Sequence, residues 1–98
     1  MTAEHLGIAP DTITYWAFDS LDESRSPQMQ ATELKEDMAQ ARISSSVILD
    51  IGWYPSFDLD GAFTVSVIQD MDWGAPVFSK QAQNWPELRA IVAEALSL

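Results

Sequence analysis

Two stretches near the middle of the chain constrain its fold more than anything else in it: "VILDIGWY", starting at Val47, and "AFTVSVIQ", ending at Gln69. In the first, Val47, Leu49, Ile51 and Trp53 alternate with Ile48, Asp50, Gly52 and Tyr54, so the side chains divide between two faces of a strand. In the second, Phe63, Val65 and Val67 alternate with Thr64 and Ser66. Pro55 cannot donate to a ladder and should end the first strand. "SFDLDG" is then a short loop whose Asp and Gly supply turn chemistry, with glycine free to take positive φ. Two alternating runs joined by such a loop predict an antiparallel hairpin.

The flanking segments are read against this hairpin. "TITYWAF", Thr12 to Phe18, is rich in β-branched and aromatic residues and reads as a strand. Asp11 could instead cap a helix burying Ile13, Trp16, Ala17 and Leu21. Ser26 followed by Pro27 makes a helix start. From there to Arg42, Ala31, Leu34, Met38 and Ala41 recur at three- and four-residue spacing, predicting an amphipathic helix with Glu33, Glu36 and Asp37 on its outside. "DMDWGAP" is a turn, and "PVFSK" a short third strand. Asn84 and Glu87 have capping-box spacing with Pro86 in the first turn. Leu88, Ile91, Val92, Ala95 and Leu96 then give a last helix one apolar face. Residues 1–11 are expected to be a loose lead-in.

The expected fold class is α+β: a small antiparallel sheet of three or four strands with two helices packed on one face, in the order (β)-α-β-β-β-α. With 98 residues the chain is expected to form a single domain, 1–98, and 47% hydrophobic residues are too many for a disordered one. No apolar run approaches the roughly 20 residues that span a bilayer. "MTAEHLGIAPD" has neither the basic nor the apolar region of a secretory signal, so a cytoplasmic location is expected.

Charge and residue type narrow the function. Fifteen acidic residues against five basic ones give a net charge of -10. Such a surface repels nucleic-acid phosphates and anionic membranes and attracts basic partners. The absence of cysteine excludes a disulfide framework, a thiolate zinc site and a cysteine nucleophile. His5 is the sole histidine, Ser44–Ser46 carry no nucleophile elbow, and no Gly-rich phosphate loop is present. Aligning "DLDG" with a calcium loop puts Asp58 and Asp60 at ligand positions but Ser56 and Val67 where its first and last ligands belong. Asp50 interrupts an apolar strand and is the carboxylate with most reason to be perturbed, yet no second acid pairs with it in sequence. "DSLD", residues 19–22, matches the Asp-Ser-Leu of acyl carrier proteins, but those are helical bundles and this chain reads as strands. The expectation is a non-enzyme with no metal and no cofactor.

What remains is recognition. Tyr54 and Trp73 sit at or beside loops rich in Asp, and a ring surrounded by carboxylates at a strand end is the anatomy of a binding hot spot. Trp53 and Trp85 are assigned to the core, and Phe57 to covering the sheet's end. The expected partner-binding residues are Asp50, Tyr54, Asp58, Asp60, Asp70, Asp72 and Trp73, gathered at the hairpin ends and on one sheet face.

"LDIGWYPSFDLDGAFTVSVIQDMDW", residues 49–73, and the helix after "NWPEL" resemble the small acidic immunity proteins of bacterial toxin systems. That resemblance covers about half the chain. It implies a cytoplasmic inhibitor that occludes one cognate toxin, often a nuclease, and it carries over a role and no residues. Two alternatives are weighed beside it. One is a nucleic-acid mimic blocking a DNA-binding or phage-defence protein, which would need regularly spaced acids over an extended face. The other is a small regulatory domain associating through an exposed sheet edge, which Lys80 would oppose.

Overall fold

The computed structural model describes residues 1–98. Five strands form one antiparallel sheet in sequence order: β1 (Ile13–Trp16), β2 (Ala39–Arg42), β3 (Val47–Tyr54), β4 (Ala62–Gln69) and β5 (Phe78–Ala82). One α-helix, α1 (Trp85–Leu96), follows, and three 3-10 segments lie at Ala3–Leu6, Pro10–Thr12 and Pro27–Glu33. The class is α+β, with five strands where three or four were expected.

The central hairpin forms as the alternation predicts. Val47 faces Gln69 and Tyr54 faces Ala62, with unbroken register between them. Leu49, Ile51, Trp53, Phe63, Val65 and Val67 are all buried on the face toward α1. Trp53 and Phe63 face each other across the strands and meet edge to face at 4.8 Å, and Phe63 continues the stack to Trp85 at 5.5 Å. Each such buried ring contributes roughly 2–3 kcal/mol. The last helix starts where the capping residues place it: the Asn84 side chain accepts from the Glu87 N–H at 2.9 Å. Leu88, Val92 and Ala95 are buried against the sheet.

The region from Ser26 to Arg42 is corrected. Ser26 does cap a helical start, accepting from Met29 N, but the helix is 3-10 and ends at Glu33. Gln30 departs from helical dihedrals within it (φ -122, ψ 19). The chain then extends, and Ala39–Arg42 becomes β2 between β1 and β3. Ala31, Leu34, Met38 and Ala41 are all buried, so the apolar positions were read correctly and their periodicity was not. Ala39 and Ala41 face the core while Gln40 and Arg42 point away, a two-residue repeat that overrides the helical preference of alanine.

Two further segments are decided by the structure. Thr12–Phe18 takes the strand alternative, as β1. Residues 1–11 are no loose lead-in: Ala3, Leu6 and Ile8 join the core, and the Trp16 indole N–H donates to the Met1 carbonyl at 3.0 Å. The loop between β1 and the 3-10 segment is organised by Gln30, the one buried polar side chain, which bonds the backbone of Asp22, Arg25 and Ser26.

The sheet therefore has one face covered by α1 and the N-terminal segment and an opposite, open face on which no helix packs, although the facing pair Ile48 and Ile68 is buried there. No helix is long and apolar enough to cross a membrane.

Candidate functional site

The seven residues expected to bind a partner do not form one cluster. β3 and β4 run antiparallel, so the loop joining them and the loop after β4 lie at opposite ends of the sheet. Eight-residue strands separate those ends by about 24 Å. Asp58 and Asp60 occupy one end, and Asp70, Asp72 and Trp73 the other. Asp50 lies mid-strand on the open face, and Tyr54 on that face at the Asp58 end. The set expected to gather at the hairpin ends and on one sheet face thus divides between two surfaces, because consecutive hairpin loops in an up-and-down sheet alternate ends.

The Tyr54 end gains residues that the hairpin alone does not supply. Ahead of β2 the chain keeps bonding to β3: Met38 N–H donates to the Ile51 carbonyl at 3.0 Å, and Trp53 N–H donates to the Lys35 carbonyl at 2.8 Å. Between these bonds Glu36 and Asp37 bulge outward over the open face. Gly52 admits the bulge, since a β-carbon there would collide with the Glu36 carbonyl and come within 2.8 Å of the Tyr54 ring. The neighbouring loop is tied to the same segment by Glu36 N–H donating to Ser56 Oγ at 3.2 Å and Phe57 N–H donating to the Leu34 carbonyl at 2.6 Å. The acidic outside assigned to a helix and the acidic hairpin loop are therefore one surface.

Asp58 and Asp60 keep their turn role: Asp60 N–H donates to Asp58 Oδ1 at 2.8 Å. Gly61 serves a different need from the expected positive φ. A β-carbon there would press on the Trp53 indole, whose N–H donates to the Asp58 carbonyl at 2.9 Å. The left-handed residue of this loop is Phe57, φ 61, and it is 57% exposed instead of covering the sheet's end. Tyr54 is 41% exposed.

Across the middle of the open face runs a row of directly facing residues, one from each strand: Tyr15, Gln40, Asp50, Ser66 and Ser79. The Gln40 amide donates to Asp50 Oδ1 at 3.2 Å. A shallow depression of about 260 Å³ lies between Tyr15, Asp37 and Gln40. Burial, reinforced by the Asp37 carboxylate and opposed by the Gln40 amide, pushes the Asp50 carboxyl above the ordinary aspartate range. Burial, together with the carboxylates of Asp50, Glu36 and Asp37, likewise raises the Tyr54 phenol. Lys35, whose ammonium lies 5.7 Å from the Tyr15 ring centroid, is the basic residue beside the bulge.

The face is thus acidic and presents two partly exposed tyrosines, Tyr15 and Tyr54. No three His, Asp or Glu side chains converge closely enough to hold a metal ion. Sequence reasoning missed Tyr15, Gln40, Glu36 and Asp37 as members of this surface. The available signal was Gly52, because glycine inside a strand marks close approach of another backbone. No protein-family model, curated protein or solved structure matches this chain.

Proposed function

We propose that this chain is a non-catalytic acidic binding protein that neutralises a basic protein partner seated on the open face at the Tyr54 end. The observation that carries the reading is the convergence of Glu36, Asp37 and Asp50 on the partly exposed Tyr54 ring, with both Asp50 and Tyr54 disfavoured from ionising further. An arriving guanidinium or ammonium relieves that crowding, and the ring supplies apolar contact beside it. Asp58 and Asp60 extend the negative rim and steer encounter.

Within that class the role supported best is a bacterial immunity protein occluding a nuclease-type toxin. A nuclease cleft must be positive to hold phosphates, and a small acidic sheet with projecting rings fits it as a plug. A cytoplasmic site of action goes with this role.

The test is to read the neighbouring genes for a protein with a toxin domain and to co-express the chain with it; the absence of such a neighbour counts against the role. Wild-type protein should restore growth and form a one-to-one complex. Asp37→Asn with Tyr54→Ala should weaken that complex about a hundredfold, while Asp11→Asn should not. Full protection by the double variant would refute the assignment of the face. Binding that duplex DNA competes away, to a DNA-binding protein instead of a toxin, would transfer the reading to mimicry.

A further inference from the structure

We infer that the opposite end of the sheet is a second docking surface, shaped for a basic amphipathic segment of a protein partner. It is independent of the Tyr54 face and needs no toxin to be tested. An apolar groove of about 410 Å³ opens there between the last turn of α1 and the strand ends. Its lining includes Ile43, Val47, Leu49, Val67, Val77 and Leu96. That volume lies in the range of pockets that enclose whole apolar groups.

The loop beside the groove projects further apolar groups. Gln69 and Val77, the two stems of the loop after β4, both line the groove. Between them Met71 is 61% exposed and Trp73 45% exposed, and Val77 itself is 57% exposed. Asp70 and Met71 both hold left-handed dihedrals, φ 53 and 61, which aspartate adopts readily but which cost a residue such as methionine roughly 1 kcal/mol. Asp70 N–H donating to the Ser46 carbonyl at 2.8 Å and Asp72 N–H donating to the Gln69 carbonyl at 3.1 Å keep that shape. Strain of this kind persists where the presented shape is itself used.

Charge selects the occupant. Asp70 and Asp72 stand in this loop, and the last turn of α1, which carries no basic residue, turns its carbonyls toward the same end. Lys80 is already bound to Glu94 at 2.7 Å, and Arg42 lies on the other sheet face, donating to the Ser45 carbonyl. A second copy would bring a net charge of -10 and the same acids against these, so self-association is opposed. A segment with an aliphatic or aromatic anchor for the groove and lysines or arginines for Asp70 and Asp72 is complementary to both features.

The experiment titrates the full chain with a Leu/Lys-repeat amphipathic peptide and follows backbone amide shifts by NMR. Shifts are expected at Ile43, from Gln69 to Val77, and at Ala95 and Leu96. Val77→Asp, at an exposed position, should weaken binding about tenfold. Asp70→Asn with Asp72→Asn should weaken it about fivefold and flatten its salt dependence, with the exposed Asp11→Asn neutral. Shifts confined to residues 35–60, or equal affinity for Val77→Asp, would overturn the inference. So would a concentration-dependent dimer that Val77→Asp abolishes, which would give the groove to a second copy. None of these outcomes bears on toxin binding at Tyr54, so the two readings fail separately.

Discussion

The Glu36 carbonyl occupies the space into which a β-carbon on Gly52 would project. This contact lets the Glu36–Asp37 bulge close over β3, and it brings two carboxylates from a distant part of the chain to Asp50 and Tyr54. Gly52→Ala should therefore destabilise the fold by about 2–3 kcal/mol, read from the midpoint of urea unfolding. It should also return the Tyr54 phenol toward its ordinary titration, since the bulge must move away. An alanine variant of unchanged stability would show that the bulge does not close on β3.

Asp50 gives a pH dependence of definite sign. Its folded-state value lies above the ordinary 3.8, so the folded protein holds this proton more tightly than the unfolded chain. Stability from this group falls as pH rises from the ordinary aspartate value through the raised one. Asp50→Asn keeps an oxygen for the Gln40 amide and removes the charge. It should stabilise the protein at neutral pH by up to about 1 kcal/mol, the screened scale for a half-exposed group. That advantage should vanish in acid, where both forms are neutral. Parallel denaturation curves at the two pH values check it.

Gln30→Leu should be far more damaging than its position in an irregular segment suggests. The Gln30 side chain accepts from Asp22 N–H at 2.8 Å and donates to the Asp22 carbonyl at 2.8 Å, with longer contacts to Arg25 and Ser26. Leucine fills the same volume and leaves those groups unpaired, at a cost of about 3 kcal/mol. The Trp85 indole also donates to the Arg25 carbonyl at 2.7 Å, so its fluorescence should report the loosening.

Met71→Gly should act in the opposite direction. Glycine takes the left-handed dihedral freely, and relief of the strain exceeds the added chain entropy by about 0.5 kcal/mol. A rise in thermal midpoint with weaker binding of the amphipathic peptide would mean that Met71 is kept for contact and not for stability.

Association with a basic partner at the Tyr54 face should slow steeply with added salt, because steering by exposed carboxylates is screened over about 10 Å at 0.1 M. Stopped-flow rates at several ionic strengths measure this. A flat dependence would remove steering from the account.

The strands β3 and β4 and the helix α1 were legible because their signals are local: alternation, a proline stop, a capping pair. Ala31, Leu34, Met38 and Ala41 were legible as core but not as geometry. Small and flexible residues fit either period, and only the slot between β1 and β3 selects extension. The candidate surface was half legible. Asp50, Tyr54, Asp58 and Asp60 belong to one surface, with Tyr54 and the two loop acids at its end, as the hairpin pattern implies. Asp70, Asp72 and Trp73 were grouped with them by sequence proximity, although antiparallel pairing sends the next loop to the far end. Glu36 and Asp37 were invisible as neighbours of Tyr54, since their approach depends on hydrogen bonds between residues that are 20 apart for Glu36 and Ser56 and lie on separate segments for the others.

The up-and-down order of the sheet bears on how the chain reaches its native state. Three of its four strand pairings close over a short turn, and such closures carry a small entropic cost and form early. The exception joins β1 to β2 through residues 17–38, the stretch that Gln30 and Leu34 organise. Docking of β1 should thus complete the edge of a sheet already assembled from β2 to β5, and substitutions in that connection should slow refolding more than equal losses of stability elsewhere.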